Sequence, residues 1–202
     1  MWLNPNQNLI LASASPRRLA LLEQIAVPVE QFVVPVQGED EPRLPDESVT
    51  DYVTRTAHDK NQRANFAWHQ THPDQTPPIL SADTTVALGQ TILGKPADHE
   101  DAKGILRALA GQTHDVYTAV VLSVGQQQHT ALTHTRVTID AALNESLDDY
   151  IASGEPFGKA GAYGIQGIAA AYVSDVHGSY SSVVGLPLYE TAQLLRQAGL
   201  YR

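Results

Sequence analysis

Apolar residues along the chain recur in two spacings, one typical of strands and one typical of helices, and the two spacings alternate in the first part of the sequence. Residues 9–12 form a short apolar run that predicts a buried strand. Leu21, Leu22 and Ile25 follow at helical spacing, and Pro28 predicts the end of that helix. Residues 29–34 alternate well enough to predict a second strand. This alternation favours the α/β class.

The central pattern is a strand, a tight turn and a returning strand. Residues 79–80 begin an apolar run that places Asp83 at or just past a strand end, where open α/β sheets expose functional groups. The strand continues through residues 86–88, turns at residues 89–90 and returns through residues 91–93 toward Lys95, which predicts a hairpin carrying an ammonium group near Asp83. An aspartate at a strand end is more often a cap or turn residue, so the catalytic interpretation depends on the rest of the chain.

Further patterns predict the elements that complete the fold. Ser48 and Asp51 form a capping box that opens a helix reaching about His69, and Lys60 lies on its apolar face. A lysine on that face either extends toward solvent or meets an anion. The other predicted elements are a helix between Asp98 and Gly111, paired strands at 113–124 and 128–139, a short helix capped by Asn144, a last strand at 168–176, a loop at 178–182 and a helix from Pro187 to near Gly199.

Composition and charge narrow the class of protein. The 202 residues include 13 Lys and Arg against 22 Asp and Glu, and the net charge of −9 argues against nucleic-acid and anionic-membrane partners. The absence of cysteine excludes disulfide and thiolate chemistry and suits a cytoplasmic protein. The apolar runs are short, so we expect neither a signal peptide nor a membrane helix. The length fits a single domain over 1–202, with two lobes and no linker.

Two arginines occupy the first turn of the first predicted helix. Ser15 suits the N-cap and Pro16 the first helical position, so Arg17 and Arg18 lie at the positive end of the helix dipole, which disfavours cations. An anion bound by the backbone N–H groups, a serine hydroxyl and both guanidinium groups would remove this conflict, and it would make a phosphate site. Two solvated surface arginines are the alternative.

Two loops carry other candidate chemistry. Residues 37–42 contain three acids, among them Glu41, which favour a solvated loop but could also supply oxygen ligands to a hard divalent cation. Residues 159–167 contain three glycines that let the backbone approach a ligand closely, and Gln166, whose amide both donates and accepts. The glycine spacing is not the dinucleotide-binding fingerprint, because the segment does not join a strand to a helix.

Six stretches in order along the chain carry a family resemblance: residues 11–18, 82–84, 94–96, 111–114, 159–167 and 184–187. Together they resemble the Maf family of nucleoside triphosphate pyrophosphatases, and the set is far more specific than any one stretch. The resemblance implies an α/β fold with an elongated mixed β-sheet, flanking helices and two lobes around a cleft, similar to the inosine triphosphate pyrophosphatase-like fold.

The resemblance also implies an activity, hydrolysis of dTTP and UTP to the monophosphate and pyrophosphate, which removes non-standard or excess nucleotides. The sequence at 161–167 is similar to the branch that acts on these nucleotides. A divalent cation, Mg²⁺ or Mn²⁺, is implied as cofactor. Asp83 carries over as catalytic base or metal-bound carboxylate, and Glu41 as a metal-associated acid. The substrate-binding positions that carry over are Arg17, Thr84 and Gln166 for base preference and Arg18, Lys60 and Lys95 for phosphate, with Ser13 beside them in the first stretch.

The chain departs from the usual family pattern at two positions. Gly158 stands where the family generally has Asp, and Asn61 where Ala commonly follows the lysine. Two other function classes compete with the pyrophosphatase: a non-catalytic nucleotide sensor acting in cell division, and a phosphatase that releases orthophosphate. The expected partner is the small-molecule nucleotide, and the sequence leaves a homodimer open.

Overall fold

The computed structural model describes residues 1–3, 8–35 and 42–202. The strands in these ranges are β1 (Leu9–Leu11), β2 (Val29–Gln31), β3 (Ile79–Leu88), β4 (Thr91–Leu93), β5 (Thr113–Val124), β6 (Gln127–Ile139) and β7 (Val173–His177). The helices are α1 (Pro16–Gln24), α2 (Val49–Thr71), α3 (His99–Leu109), α4 (Leu147–Ala152), α5 (Tyr180–Val184) and α6 (Leu188–Gln197), with 3₁₀ helices at Ala141–Ser146, Ala160–Ala162 and Ile168–Tyr172. No described helix is long and apolar enough to cross a membrane.

Seven strands of the described chain form one mixed sheet, in the order β2-β1-β3-β5-β6-β7 with β4 paired to β3. β1 is parallel to β2 and to β3, as expected for strands joined by helical crossovers. The pairs β3–β4 and β6–β7 are antiparallel. The predicted α/β class, with a mixed sheet and flanking helices, is confirmed.

The chain divides into two compact units. The first comprises Met1–Asp83, Thr118–Leu132 and Gly185–Arg202. The second comprises Thr84–Tyr117 and Thr133–Val184. Three of the four boundaries between them fall within β3, β5 and β6, and the fourth follows α5. Each unit therefore contains parts of these three strands, and each is described separately below.

In the first unit, the apolar face of α2 packs on the parallel strands. Ile10 of β1 and Ile79 of β3 form a buried cluster with Ala64 and Trp68 of the helix. Phe32 packs against this cluster, with its ring edge-on to Trp68 at a centroid distance of 5.1 Å. The packing of an apolar helix face against neighbouring elements is the main source of helix stability in a folded protein. The packing therefore fixes which face of α2 points toward β3.

In the second unit, the predicted hairpin and the helix that follows it are both present. Val86 of β3 pairs with Leu93 of β4. The two-residue turn between the strands begins with Gly89, whose φ of +60° suits the turn type that such short hairpins prefer. Helix α3 begins after Asp98, whose carboxylate accepts the backbone N–H of Asp101 at 2.9 Å. Local turn and cap chemistry was sufficient to predict these elements.

Several boundaries differ from the sequence-based predictions. Asn144 does not cap a helix, because it lies inside the 3₁₀ helix Ala141–Ser146, whose N-cap is Asp140. The predicted last strand begins late, since Ile168–Tyr172 is a 3₁₀ helix and only the residues after it form β7. Three consecutive alanines in that segment lack the β-branched side chains that favour strands. The other differences are that β2 ends at Gln31 and that α5 begins within the predicted loop.

Candidate active site

Asp83 lies inside strand β3, and the prediction that it lies at or just past a strand end is wrong. The parallel pairing of β1 with β3 extends only as far as Leu80. The strand nevertheless continues through Asp83 to Leu88, because its second half pairs with β4. The pattern predicts strand on both sides of Asp83, and it could not reveal the change of partner between them. Asp83 is 7% exposed.

Helix α2 presents Thr56 and Lys60, one turn apart, to the carboxylate of Asp83. Lys60 Nζ donates a hydrogen bond to Asp83 Oδ1 at 2.6 Å. The Thr56 hydroxyl contributes a second hydrogen bond that favours the ionised carboxylate. Of the two outcomes predicted for an inward-facing lysine, the structure contains the pairing with an anion. Thr56 was missed as a site residue by sequence reasoning, although its spacing of four residues from Lys60 places both residues on one side of the helix.

The surroundings of Asp83 hold its pKa below the ordinary value of 3.8. Burial acts in the opposite direction, because desolvation penalises the charged form. The charge and hydrogen bond of Lys60, the charge of Arg18 and the hydrogen bond from Thr56 outweigh it. The carboxylate is therefore ionised at neutral pH. A carboxylate with a lowered pKa is a weak proton acceptor, better suited to binding a cation or orienting water.

Arg18 is held by two acceptors from separate segments of the first unit. Its Nε donates to the carbonyl of Gly185 at 2.8 Å, and one terminal nitrogen donates to Ser13 Oγ at 3.2 Å. Ser15 caps α1 as predicted, accepting the backbone N–H of Arg18. Arg17 and Arg18 are both half-buried, so neither is a fully solvated arginine. The first unit thus brings together Ser13, Arg18, Lys60 and Asp83, whereas anion binding stays a prediction.

The second unit holds the other predicted substrate-binding residues. Thr84 is half-buried in β3, and Lys95 and Gln166 are exposed. The carbonyl of Gly94 accepts the backbone N–H of Gly161 at 3.0 Å. This bond joins the segment that carries Lys95 to the loop that carries Gln166. The convergence of Lys95 with the cations around Asp83 stays a prediction.

Two glycines of the predicted ligand-binding loop make room for the protein's own side chains. A Cβ atom on Gly161 would lie 2.9 Å from a methyl group of Val86, and the φ of this glycine is +71°. A Cβ atom on Gly167 would lie 2.0 Å from a carboxylate oxygen of Glu155. The sequence accounted for these glycines by the approach of a ligand. The structure gives them an internal reason.

His114 of β5 is buried beside the glycine-rich loop. Its Nε2 shares a hydrogen bond of 2.8 Å with the hydroxyl of Tyr163. Burial lowers the pKa of His114 to about 4, so its ring is neutral at neutral pH. The bond joins β5 to the glycine-rich loop. The sequence signal for this contact is that His114 and Tyr163 both lie in stretches that carry the family resemblance.

The predicted metal-associated residue Glu41 lies outside the described residues. Within the described ranges, no three His, Cys, Asp or Glu side chains are grouped so that they could hold a metal ion. Of the two metal candidates, the structure therefore gives a position only for Asp83. A metal ion at that carboxylate would need further ligands from the substrate, from water or from residues outside these ranges.

The sequence model of the Maf-like protein family matches residues 8–198 of this chain. The chain belongs to the Maf-like family. Proteins named dTTP/UTP pyrophosphatase are similar to it along almost their whole length. That of Bordetella avium is 50% identical over 95% of this chain and 96% of its own. The protein of Bordetella parapertussis is 52% identical over 95% of this chain and 93% of its own length. The protein of Cupriavidus metallidurans is 48% identical over 96% of this chain and 98% of its own length.

Solved structures resemble this Maf-like chain more distantly. Protein VC0702 from Vibrio cholerae is 12% identical, with a TM-score of 0.48 over 97% of this chain and 99% of that chain. A HAM1 protein from Coxiella burnetii is 13% identical, with a TM-score of 0.42 over 67% of this chain and 74% of that chain. The backbones overlap only partly at these scores, and the assignment to the Maf-like family rests on the sequence.

Asn61, one of the two departures from the usual Maf-like pattern, is fully buried next to Lys60 in the chain. Its amide donates to the carbonyls of Ile79 at 3.0 Å and Val121 at 3.2 Å. The amide of Asn65 in turn donates to Asn61 Oδ1 at 2.9 Å. Asn61 therefore joins α2 to β3 and β5, and it adds a polar anchor beside the helix turn that carries Lys60.

Proposed function

We propose that this Maf-like protein hydrolyses dTTP and UTP to the nucleoside monophosphate and pyrophosphate. Relatives that are 50% and 52% identical over 95% of the chain are named for that activity. The structural observation that carries the proposal is the buried Asp83 carboxylate, which Lys60 and Arg18 keep ionised. A carboxylate among cations suits a reaction in which water attacks a polyanionic substrate.

In the proposed reaction, Asp83 orients a water molecule toward the α-phosphorus. The water oxygen forms a bond to phosphorus, the bond from phosphorus to the bridging oxygen breaks, and pyrophosphate leaves with that oxygen. The proton from the water passes to solvent. Arg18, Lys60 and Lys95 offset the negative charge of the triphosphate, about four units, as it redistributes. Asp83 is ionised at neutral pH, so its carboxylate can accept a hydrogen bond from the water.

We also propose that a divalent cation, Mg²⁺ or Mn²⁺, binds at Asp83 and that the substrate helps to hold it. Mg²⁺ sites of this kind use one or two carboxylates together with phosphate oxygens and water. Asp83 offers one carboxylate, and Glu41 would be the second. When bound, the cation supplies positive charge to the phosphate oxygens.

Gln166, Thr84 and Arg17 are proposed to select the base. Uracil and thymine present an acceptor, a donor and an acceptor along their pairing edge, and an amide such as that of Gln166 can pair with two of these groups. An amide can also rotate to match cytosine, so Gln166 alone does not reject CTP. A second contact, from Thr84 or from the backbone of the glycine-rich loop, has to do so. We expect UTP and dTTP to be cleaved much faster than CTP.

The test is an assay of the purified chain with UTP, dTTP and CTP in the presence of Mg²⁺ or Mn²⁺, in which pyrophosphate and orthophosphate are measured separately. We expect pyrophosphate from UTP and dTTP. Asp83→Asn should lower kcat by about 10²-fold or more, because the amide is uncharged. The matched control is Asp175→Asn, which changes an exposed aspartate on β7 and should keep normal turnover. Circular dichroism checks that both variants are folded.

The assay separates the competing function classes. Release of orthophosphate would indicate a phosphatase acting at the terminal position. Binding of UTP without metal-dependent turnover would indicate a nucleotide sensor. Near-normal turnover by a folded Asp83→Asn protein would remove Asp83 from the mechanism. Equal rates with UTP and CTP would contradict the role given to Gln166.

A further inference from the structure

A single carboxylate, that of Glu155, accepts backbone hydrogen bonds from the segment just after Gln166. The N–H of Ile168 donates to one of its oxygens at 2.7 Å, and the N–H of Ala169 donates to the other at 3.1 Å. We infer that Glu155 is a positioning residue for base selection, which holds the loop so that Gln166 faces the substrate. This inference rests on the proposed function, because that function assigns Gln166 to the base.

Tyr150 extends the same anchor to the segment before Gln166. Its hydroxyl donates to a carboxylate oxygen of Glu155 at 2.9 Å and accepts the backbone N–H of Gly164 at 3.3 Å. The loop is therefore held on both sides of Gln166, while the Gln166 side chain is exposed. The result is a fixed backbone that carries an accessible amide.

The loop wraps closely around this carboxylate. A Cβ atom on Gly167 would lie 2.0 Å from Glu155 Oε2, and one on Gly164 would lie 3.2 Å from Lys159 Cε. Lys159 Nζ donates in turn to the backbone carbonyl of Glu155. A side chain at Gly167 would thus collide with the Glu155 carboxylate, and one at Gly164 would be in tight contact with Lys159. Glu155 and Lys159 therefore account for Gly164 and Gly167 without a ligand, as Val86 does for Gly161.

The charge of Glu155 strengthens these bonds. Burial acts to raise the pKa of its carboxyl, but the N–H groups of Ile168 and Ala169, the Tyr150 hydroxyl and the charge of Lys159 outweigh burial and lower it. The carboxylate is ionised at neutral pH, and hydrogen bonds to an ionised acceptor are about twice as strong as neutral ones. A glutamine of the same shape has one acceptor oxygen and turns a donor toward the N–H groups. Glu155→Gln should therefore weaken the hydrogen bonds that hold the loop while it keeps a side chain of the same shape in place.

The experiment compares the wild type with Glu155→Gln in steady-state kinetics on UTP and CTP with Mg²⁺. We expect the KM for UTP to rise about tenfold and the preference for UTP over CTP to fall about tenfold, while kcat for UTP stays within about threefold. The control is Glu145→Gln, an exposed glutamate in the 3₁₀ helix Ala141–Ser146, which should leave all three values unchanged. A general loss of folded protein would lower the apparent kcat for both nucleotides and would not change the preference.

Tyr150→Phe provides a second variant, and it decides the question where Glu155→Gln fails to fold. It removes the hydroxyl that reaches Gly164 and should change KM and base preference in the same direction by a smaller factor. Hydrogen exchange of the amides from Gly164 to Ala169 should be faster in both variants. An unchanged KM and preference in folded variants, or a fall confined to kcat, would overturn the role of Glu155. A wild type that cleaves neither nucleotide would instead overturn the proposed function itself.

Discussion

Acidification should destabilise the protein through His114, because folding keeps this imidazole neutral. His114 is 1% exposed, and burial lowers its pKa from 6.5 to about 4. Between these values the unfolded chain binds a proton at His114 and the folded chain does not. The free energy of unfolding therefore rises with pH across this window and falls as the solution is acidified.

The two pKa values set the size of the effect. For one group with a pKa of 6.5 in the unfolded chain and about 4 in the folded chain, the loss is about 2 kcal/mol between about pH 7.5 and about pH 5. It reaches about 3 kcal/mol once the pH is below both values. A loss of this size is a large fraction of the stability of an ordinary domain.

The measurement is urea unfolding of the wild type and of His114→Gln across that pH range. Glutamine offers a polar partner to Tyr163 but does not titrate, so the variant should lose about 2 kcal/mol less than the wild type between the two pH values. The control is His177→Gln, which removes an exposed histidine on β7 and should keep the wild-type pH dependence. A His114→Gln protein whose stability falls with pH as steeply as the wild type would refute the reasoning. A difference in stability between the variant and the wild type that is the same at every pH would add to this refutation, because it would report only lost packing and no titration of His114.

Three further substitutions test contacts of the described structure. Lys60→Met should lower kcat/KM for UTP by about tenfold to about 10²-fold, since a hydrogen bond to a charged group contributes about 1.5–3 kcal/mol; steady-state kinetics measure this. Asn61→Ala should lower the free energy of unfolding by about 1–3 kcal/mol, because the buried carbonyls of Ile79 and Val121 each lose a hydrogen bond from its amide. Gly161→Ala should destabilise by about 2 kcal/mol more than Gly158→Ala, since both have a positive φ but only the first would meet a side chain within 4 Å. Urea unfolding measures both effects.

Matched controls are available for the first two substitutions. Lys103→Met removes a lysine that pairs with Asp148, and it should leave kcat/KM unchanged. Gln62→Ala changes the exposed neighbour of Asn61 and should leave stability within about 0.5 kcal/mol of the wild type. Normal kinetics in Lys60→Met would contradict a phosphate-binding role. An Asn61→Ala protein as stable as Gln62→Ala would mean that the two carbonyls find other donors.

The parts of the fold that could be predicted from sequence depend on local chemistry. Ser15, Ser48 and Asp98 each cap a helix through a side chain that accepts an N–H group three residues later, and these caps are readable from neighbouring residues alone. The hairpin at Gly89 is equally local. The prediction for Asn144 was wrong because cap chemistry alone does not distinguish two nearby candidates. Asp140 can cap a helix as well as Asn144 can, and it is Asp140 that caps the 3₁₀ helix.

The parts of the site that could not be predicted depend on packing between distant segments. Thr56 and Lys60 share a helix face, but only the packing of α2 on β3 turns that face toward Asp83. Glu155 offered no motif of its own, since two of the groups that donate to it are backbone N–H groups, which every residue type except proline provides. His114 likewise gains its lowered pKa from burial, which no spacing along the chain reveals.

The position of Asp83 within a continuous strand restricts how the chain length can vary. Neighbouring residues of a strand face opposite sides of the sheet, so one inserted or deleted residue in the first half of β3 would put Ala82 or Thr84 where the carboxylate now stands. The paired hairpin beyond it prevents the strand from sliding to compensate. Among homologous proteins, alignment gaps should therefore fall in loops such as the turn between β5 and β6, while β3 changes by substitution alone.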